Sequence, residues 1–159
     1  MQIQIICVGK LKERYWKDAV SEYEKRLSGY VKLKIQEVAD EPAPDNASVK
    51  VQQAIQDTEG ERITKYIRDR DGIVALDVSG SSLSSVEWSQ EYTRLIGKGF
   101  SRLVFLIGGS YGLSHALLSR ADFRWSFGPV TLPHQLARVV LMEQIYRGIR
   151  IARGEPYHK

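Results

Sequence analysis

A chain of 159 residues, 43% hydrophobic and 26% charged, is ordinary for a globular protein and long enough for a single domain with a sizeable core. Its single cysteine excludes a disulfide framework and a cysteine metal cluster, and no apolar run approaches the length of a membrane span. The net charge is +4, and residues 138–159, with five cations (Arg138, Arg147, Arg150, Arg153, Lys159) against Glu143 and Glu155, carry +3 of it. A cluster of this kind is the electrostatic footprint of a nucleic-acid partner or, equally, a solvated helix face.

The first residues, Met1-Gln2-Ile3-Gln4-Ile5-Ile6, have neither the basic leader nor the cleavage site of a signal peptide, so a cytoplasmic protein is expected. Ile3 to Val8 is β-branched and apolar, stops at Gly9, and predicts a first strand. Cys7 inside it reads as a core thiol. A helix follows from Lys12 to Arg26, with Trp16, Val20, Tyr23 and Leu27 on one face, and Gly29 closes it. From Val31 to Val38, apolar Val31, Leu33 and Ile35 alternate with Lys32, Lys34 and Gln36, as in a half-exposed strand at a sheet edge. Asp40-Glu41-Pro42-Ala43-Pro44-Asp45-Asn46 reads as a linker.

A polar helix is expected from Ser48 to Asp69, with Gly60 in its middle at a cost of about 1 kcal/mol relative to alanine, which leaves room for a break. Gly72 to Asp77 predicts a third strand, and Ser82 or Ser84 caps a helix from Ser85 to Gly97. Leu103-Val104-Phe105-Leu106-Ile107 is too short for a helix and apolar throughout, the pattern of a strand buried on both faces of a parallel sheet. It stops in Gly108-Gly109-Ser110-Tyr111-Gly112, whose glycines permit tight turns and close approach of a ligand. A short helix from Ser114 to Arg120 and a strand from Phe123 to Ser126 lead into Phe127-Gly128-Pro129-Val130-Thr131-Leu132-Pro133, a loop stiffened by two prolines. The last helix runs from His134 to Arg153, with Leu136, Val139, Met142, Tyr146 and Ile149 as its buried stripe and Glu143 paired to Arg147. Gly154 to Lys159 forms a short tail. Alternating strands and helices predict an α/β fold with a mostly parallel sheet in one domain, residues 1–159.

The glycine loop and the proline loop, both near strand ends, are what a small-molecule pocket needs. Neither a phosphate loop (Gly-x-x-x-x-Gly-Lys-Ser/Thr) nor a dinucleotide fingerprint after the first strand is present. His115, His134 and His158 stand far apart without ligand companions, so no metal is expected. His158 differs from the others: it lies in the tail beside Tyr157 and near arginines, where an imidazole can act as a base or orient a substrate.

Four stretches occur together: Phe105 to Leu113, Thr131-Leu132-Pro133-His134-Gln135-Leu136-Ala137-Arg138-Val139, Glu143-Gln144-Ile145-Tyr146-Arg147, and Pro156-Tyr157-His158-Lys159. In this order and spacing the chain resembles, over its whole length, the small large-subunit ribosomal RNA methyltransferases that act on N3 of a pseudouridine, within the trefoil-knotted SPOUT superfamily. The resemblance implies a deep knot in which the C-terminal segment threads an earlier loop, an obligate homodimer, S-adenosylmethionine as methyl donor, and assembled ribosomes as substrate. It implies cofactor contacts at Leu76, Gly108, Phe127, Gly128, Pro129, Val130, Thr131 and Leu132. For such a reaction His158, Tyr157 and Arg138 are the expected catalytic residues and Arg138, Arg147 and Lys159 the expected RNA contacts, and completion of the partner's site by the tail is a hypothesis. Gly128-Pro129 departs from the family pattern, which more often has hydroxyl or bulkier side chains there. Two other readings share these features: a non-enzymatic RNA-binding or ribosome-associated protein, and a transfer-RNA methyltransferase of the same fold.

Overall fold

The computed structural model describes residues 1–159, and strand and helix alternate along all of it. The elements are β1 (Gln2–Val8), α1 (Arg14–Leu27), β2 (Lys32–Val38), α2 (Val49–Thr64), β3 (Asp71–Ser82), α3 (Ser85–Ile96), β4 (Arg102–Ile107), α4 (His115–Arg120), β5 (Phe123–Ser126) and α5 (His134–Ala152). The strands form one five-stranded sheet in the order β2-β1-β4-β3-β5. Every pairing is parallel. The lysine-bearing β2 lies at an edge, as its alternation predicts.

The two core clusters follow from the period of two along a strand. Ile3, Ile5 and Cys7 of β1, with Leu103, Phe105 and Ile107 of β4, face α1, α3 and α5. Ile6 and Val8, with Val104 and Leu106, face α2 and α4. At the centre of the larger cluster Trp88 of α3 stacks on Trp125 of β5, with ring centroids 4.0 Å apart. Its indole N–H donates to the Gln144 carbonyl at 3.1 Å. Gly148 makes this approach feasible, because a Cβ there would lie 2.7 Å from the Trp88 Nε1.

The differences from expectation have local causes. Helix α2 ends at Thr64 rather than Asp69. The Asp71 carboxylate accepts the Arg68 amide at 2.7 Å and turns the chain into β3. No break occurs at Gly60; the glycine instead admits Ser114, whose Oγ would lie 2.7 Å from a Cβ. β3 outruns its prediction, reaching Ser82 through an irregularity between Leu76 and Ser81, both of which pair with Trp125. The buried face of α5 is Arg138, Leu141, Met142, Ile145, Tyr146, Gly148 and Ile149. Leu136 and Val139 stay half-buried. This helix is covered by α1 on one side and α3 on the other, so its stripe is wider than a one-sided reading of the spacing.

At the amino end of the sheet, Arg102 and Asp71 are both buried and joined at 2.7 Å from Nε and 2.9 Å from Nη2. Arg102 also reaches the Gln4 side chain and the Tyr66 carbonyl. Removing one partner of such a pair leaves a buried charge and costs about 3–5 kcal/mol. Asp71→Ala should therefore lower the urea midpoint strongly, and adding Arg102→Met should recover most of the loss; an unchanged midpoint in the single variant would count against the pair.

Candidate active site

Parallel strands present their carboxyl ends on one side, and there the loops of this fold enclose a cavity of about 680 Å³. Leu76 ends the regular part of β3, Gly108 follows β4, and Phe127, Gly128, Val130, Thr131 and Leu132 come from the loop after β5; all seven line the cavity, whereas Pro129 does not. His134 and Ala137, on the first turn of α5, close it.

The glycine loop is shaped by backbone constraints. A Cβ on Gly108 would lie 2.5 Å from the Gly112 carbonyl carbon, and Gly112 itself has φ +79°. The turn is fastened by the Gly112 amide donating to the Gly109 carbonyl at 3.0 Å. Helix α2 holds it from outside: Gln56 donates to the Tyr111 carbonyl at 2.6 Å, and the Glu59 carboxylate lies so close that a Cβ on Gly109 would be 2.8 Å away. Burial raises the pKa of Glu59, whose carboxylate also accepts the Glu41 amide at 3.0 Å. In the second loop Gly128 adopts φ +101°, where glycine alone is unstrained, and its amide donates to Ser126 Oγ at 3.1 Å. The departure at Gly128 thus has a backbone reason.

No lysine or arginine lines the cavity; its ionisable groups are Asp77, Tyr111 and His134. A site without cations is poorly suited to phosphate and well suited to a ligand that carries positive charge. His134 packs on Gly9, and its Nδ1 is buried without a hydrogen-bond partner. Burial, and after it the Arg138 charge, hold its pKa below the ordinary histidine value. Cys7 is an inert core thiol, pushed up to about 12 by burial.

The remaining expected residues lie elsewhere within this chain. The tail folds back along the C-terminal half of α5. Tyr157 packs edge-on against Tyr146 at 4.9 Å and donates to Glu143 at 2.9 Å. Arg147 pairs with Glu143 at 2.6 Å and donates to His158 Nδ1 at 3.2 Å. Arg147 lies thirteen positions along α5 from cavity-lining His134, roughly 20 Å along the axis at the helical rise. Lys159 is exposed at the end of this tail. Arg138 is buried, pairs with Glu37 at 2.7 Å and reaches the Gly9 carbonyl at 3.3 Å, so it faces a separate polar groove. Gln56, Glu59 and His134 escaped sequence reasoning as parts of this site. Ile55, Glu59 and Ile63 recur every fourth residue, so a carboxylate on an apolar stripe was a readable signal for the second of them.

Residues 1–158 match the family model described as "Predicted SPOUT methyltransferase". The chain is 55% identical over 159 residues to the ribosomal RNA large subunit methyltransferase H of Clostridium kluyveri, and 55% identical over 159 residues to that of Clostridium tetani, in each case over the whole of both chains. Similarity to the protein of the same name from Clostridium botulinum is 53% over 161 residues, again covering both chains completely. The chain belongs to the SPOUT methyltransferase family, and membership implies the trefoil knot of its C-terminal region.

Because folding favours the neutral ring of His134, its contribution to stability is complete above the unfolded value of about 6.5 and is lost as pH falls through the lower folded value. A proton NMR titration should place the His134 midpoint below 6.5. Urea midpoints measured from pH 7 downward should fall less steeply in His134→Phe. A midpoint at or above the ordinary value would contradict the burial of this ring.

Proposed function

We propose that the chain is a cytoplasmic, homodimeric methyltransferase that carries the methyl group of S-adenosylmethionine to N3 of a pseudouridine in large-subunit ribosomal RNA, acting on assembled ribosomes. The names borne by its full-length relatives support the reaction and the RNA. The observation that carries the cofactor is the cavity beyond β3, β4 and β5, bounded by backbone-rich loops and carrying Asp77 but no lysine or arginine. S-adenosylmethionine, when bound, supplies a methyl group made electrophilic by its sulfonium, and it contains no phosphate. Backbone amides and carbonyls at Leu76, Gly108 and the loop from Phe127 to Leu132 can read its adenine, while Asp77, which Arg124 approaches at 4.0 Å, is the one carboxylate on the wall to face its positive charge. No helix is long and apolar enough to cross a membrane.

The tail supplies the groups for the nucleotide. An arginine only donates, so the contact from Arg147 makes His158 Nδ1 an acceptor and leaves the proton of the neutral ring on Nε2. In this state Nε2 suits holding a uracil carbonyl oxygen as negative charge develops on the imide, while Arg147, itself paired with Glu143, fixes the ring from behind. The phenol of Tyr157 stays protonated, its pKa raised by burial and by Glu143; its one proton is donated to Glu143, so it serves the nucleotide as a donor only when that contact is exchanged. N3 then loses its proton to solvent or to His158 once the Arg147 contact is released. Since tail and cavity are separated along α5 within one chain, the tail acts in the partner subunit's site, which makes the dimer a requirement.

Labelled methyl from S-adenosylmethionine should appear on ribosomes lacking the modification and map to a pseudouridine. Label on transfer RNA instead would replace the substrate, and absence of both label and cofactor binding would leave a non-enzymatic RNA-binding protein. Gly108→Ala forces the cofactor loop apart and should abolish cofactor binding while the chain still folds. Mixing it with a chain truncated after Pro156 should restore about a quarter to a half of the activity of the intact dimer, through heterodimers with one complete site; no restoration would exclude the arrangement in trans.

A further inference from the structure

The basic surface that touches RNA is expected in sequence at the C-terminal helix, but three of its arginines are spent within the fold. Arg138 pairs with Glu37, Arg147 with Glu143 and Arg150 with Glu155. Arg153 lies over the Tyr30 ring at 4.8 Å. Free cations gather instead across the loop after β1 and the first turn of α1, where Lys10, Lys12, Arg14 and Lys17 fall within eight residues and are all exposed, with Glu13 as the one acid among them. Neither Lys10, Lys12 nor Lys17 makes an ion pair, and Arg14 only approaches the exposed Asp18 at 3.9 Å. Among these charges Tyr15 is 65% exposed, with its ring tilted on Trp16 at 5.3 Å.

This segment is held in shape rather than loose. The Gly9 amide donates to the Val38 carbonyl at 2.9 Å, and the Leu11 amide donates to Glu37 Oε2 at 3.2 Å. Gly9 also touches His134, which lines the cofactor cavity, so the cations begin next to that cavity. Beneath them runs an open polar groove of about 550 Å³, with Lys10 and Lys17 on its rim and Arg138 in its wall.

We infer that Lys10, Lys12, Arg14 and Lys17 bind the phosphates of the RNA strand flanking the target nucleotide, and that Tyr15 stacks on an unpaired base of that strand. The inference rests on the RNA substrate proposed above and adds where the strand runs. Exposed aromatics interleaved with cations are the usual platform for single-stranded RNA, where bases are splayed out and stacked while the backbone is held by charge. A surface built only for solubility has no need of a tyrosine exposed among its lysines, nor of two backbone contacts fixing its loop.

The test uses full-length protein and ribosomes lacking the modification, with binding measured by sedimentation across a salt series, cofactor affinity by calorimetry and dimer mass by light scattering. The quadruple variant Lys10→Gln/Lys12→Gln/Arg14→Gln/Lys17→Gln should keep the cofactor affinity and dimer mass of the wild type. Its plot of log affinity against log salt should flatten by about 0.7 for each phosphate that is no longer neutralised, up to about 3 in total. Tyr15→Ala should raise the KM for ribosomes about tenfold with kcat little changed, and Tyr15→Phe, which still stacks, should restore it. An unchanged salt slope in the quadruple variant, with methylation intact, would overturn this surface and leave the proposed reaction standing. A change in dimer mass would overturn it too, by assigning the segment to contact between subunits. If the wild type neither binds nor methylates ribosomes, the proposed function falls and this inference with it.

Discussion

Every residue of β4 is buried, with Leu103, Phe105 and Ile107 facing one core and Val104 and Leu106 the other. The central strand therefore meets a ligand only at its carboxyl end, and the loop beyond that end has to be almost pure backbone. Gly108 cannot carry a side chain because the Gly112 backbone closes over it, and a Cβ on Gly109 would have to displace the Glu59 carboxylate. The loop is squeezed from both sides, by its own return and by α2. That is why a helix with no residue in direct register with the sheet's end still governs the cavity. Gln56, Glu59 and Gly60, spaced along one face of α2, meet Tyr111, Gly109 and Ser114 in turn. Burial of an otherwise apolar stripe against the second core positions this face, so packing energy is converted into loop geometry.

The same coupling of core to site recurs at the other wall. Trp125 stacks on Trp88 and meets Phe127 at 5.0 Å, and both Trp125 and Phe127 line the cavity. Trp88 is held by Gln144 and accommodated by Gly148, both on α5. The proline loop is thus hung between a rigid aromatic column and the start of α5, and its one left-handed position, Gly128, is where the backbone reverses. A site formed by loops gains the precision of the elements behind it when the loop ends are fixed this closely.

Much of this was legible in the residues, because periodicity reports burial. The two-faced strand at Leu103, the edge strand with its lysines, and the strand from Phe123 to Ser126 lie where the pattern puts them. The cavity could be foreseen as glycine and proline loops at strand ends, and seven of the eight positions the resemblance implied lie on its walls, Pro129 being the exception. Partnership across the fold is beyond the reach of pattern. Gly60 looks like a helix breaker until Ser114 is seen against it. The arginines of α5 look like a binding surface until Glu37, Glu143 and Glu155 are set beside them. Two of those three carboxylates lie in the same segment, and the third arrives from β2, more than a hundred residues away. Charge summed along a sequence measures the supply of cations; only the fold says which of them remain for a partner.

Helix α5 joins these themes. Its first turn walls the cofactor cavity and its last turns carry the tail, so one rigid rod holds the two halves of the proposed chemistry apart. It has no hinge to bring them together. Gly148, the one glycine within it, is packed against Trp88, and no proline interrupts it. The tail itself is too short and too well fastened to swing back over such a distance, because Tyr157 is bonded to Glu143 and Glu155 is bonded to Tyr30 at 2.6 Å. A rod with one function at each end becomes useful when a second copy lies alongside it in the opposite sense, as a two-fold axis requires for helices that pack antiparallel. In the proposed dimer each tail would then serve the other's cavity, and a single contact would yield two complete sites. Under the proposed function, the rigidity that holds the two ends apart in one chain is what a two-fold pair would use.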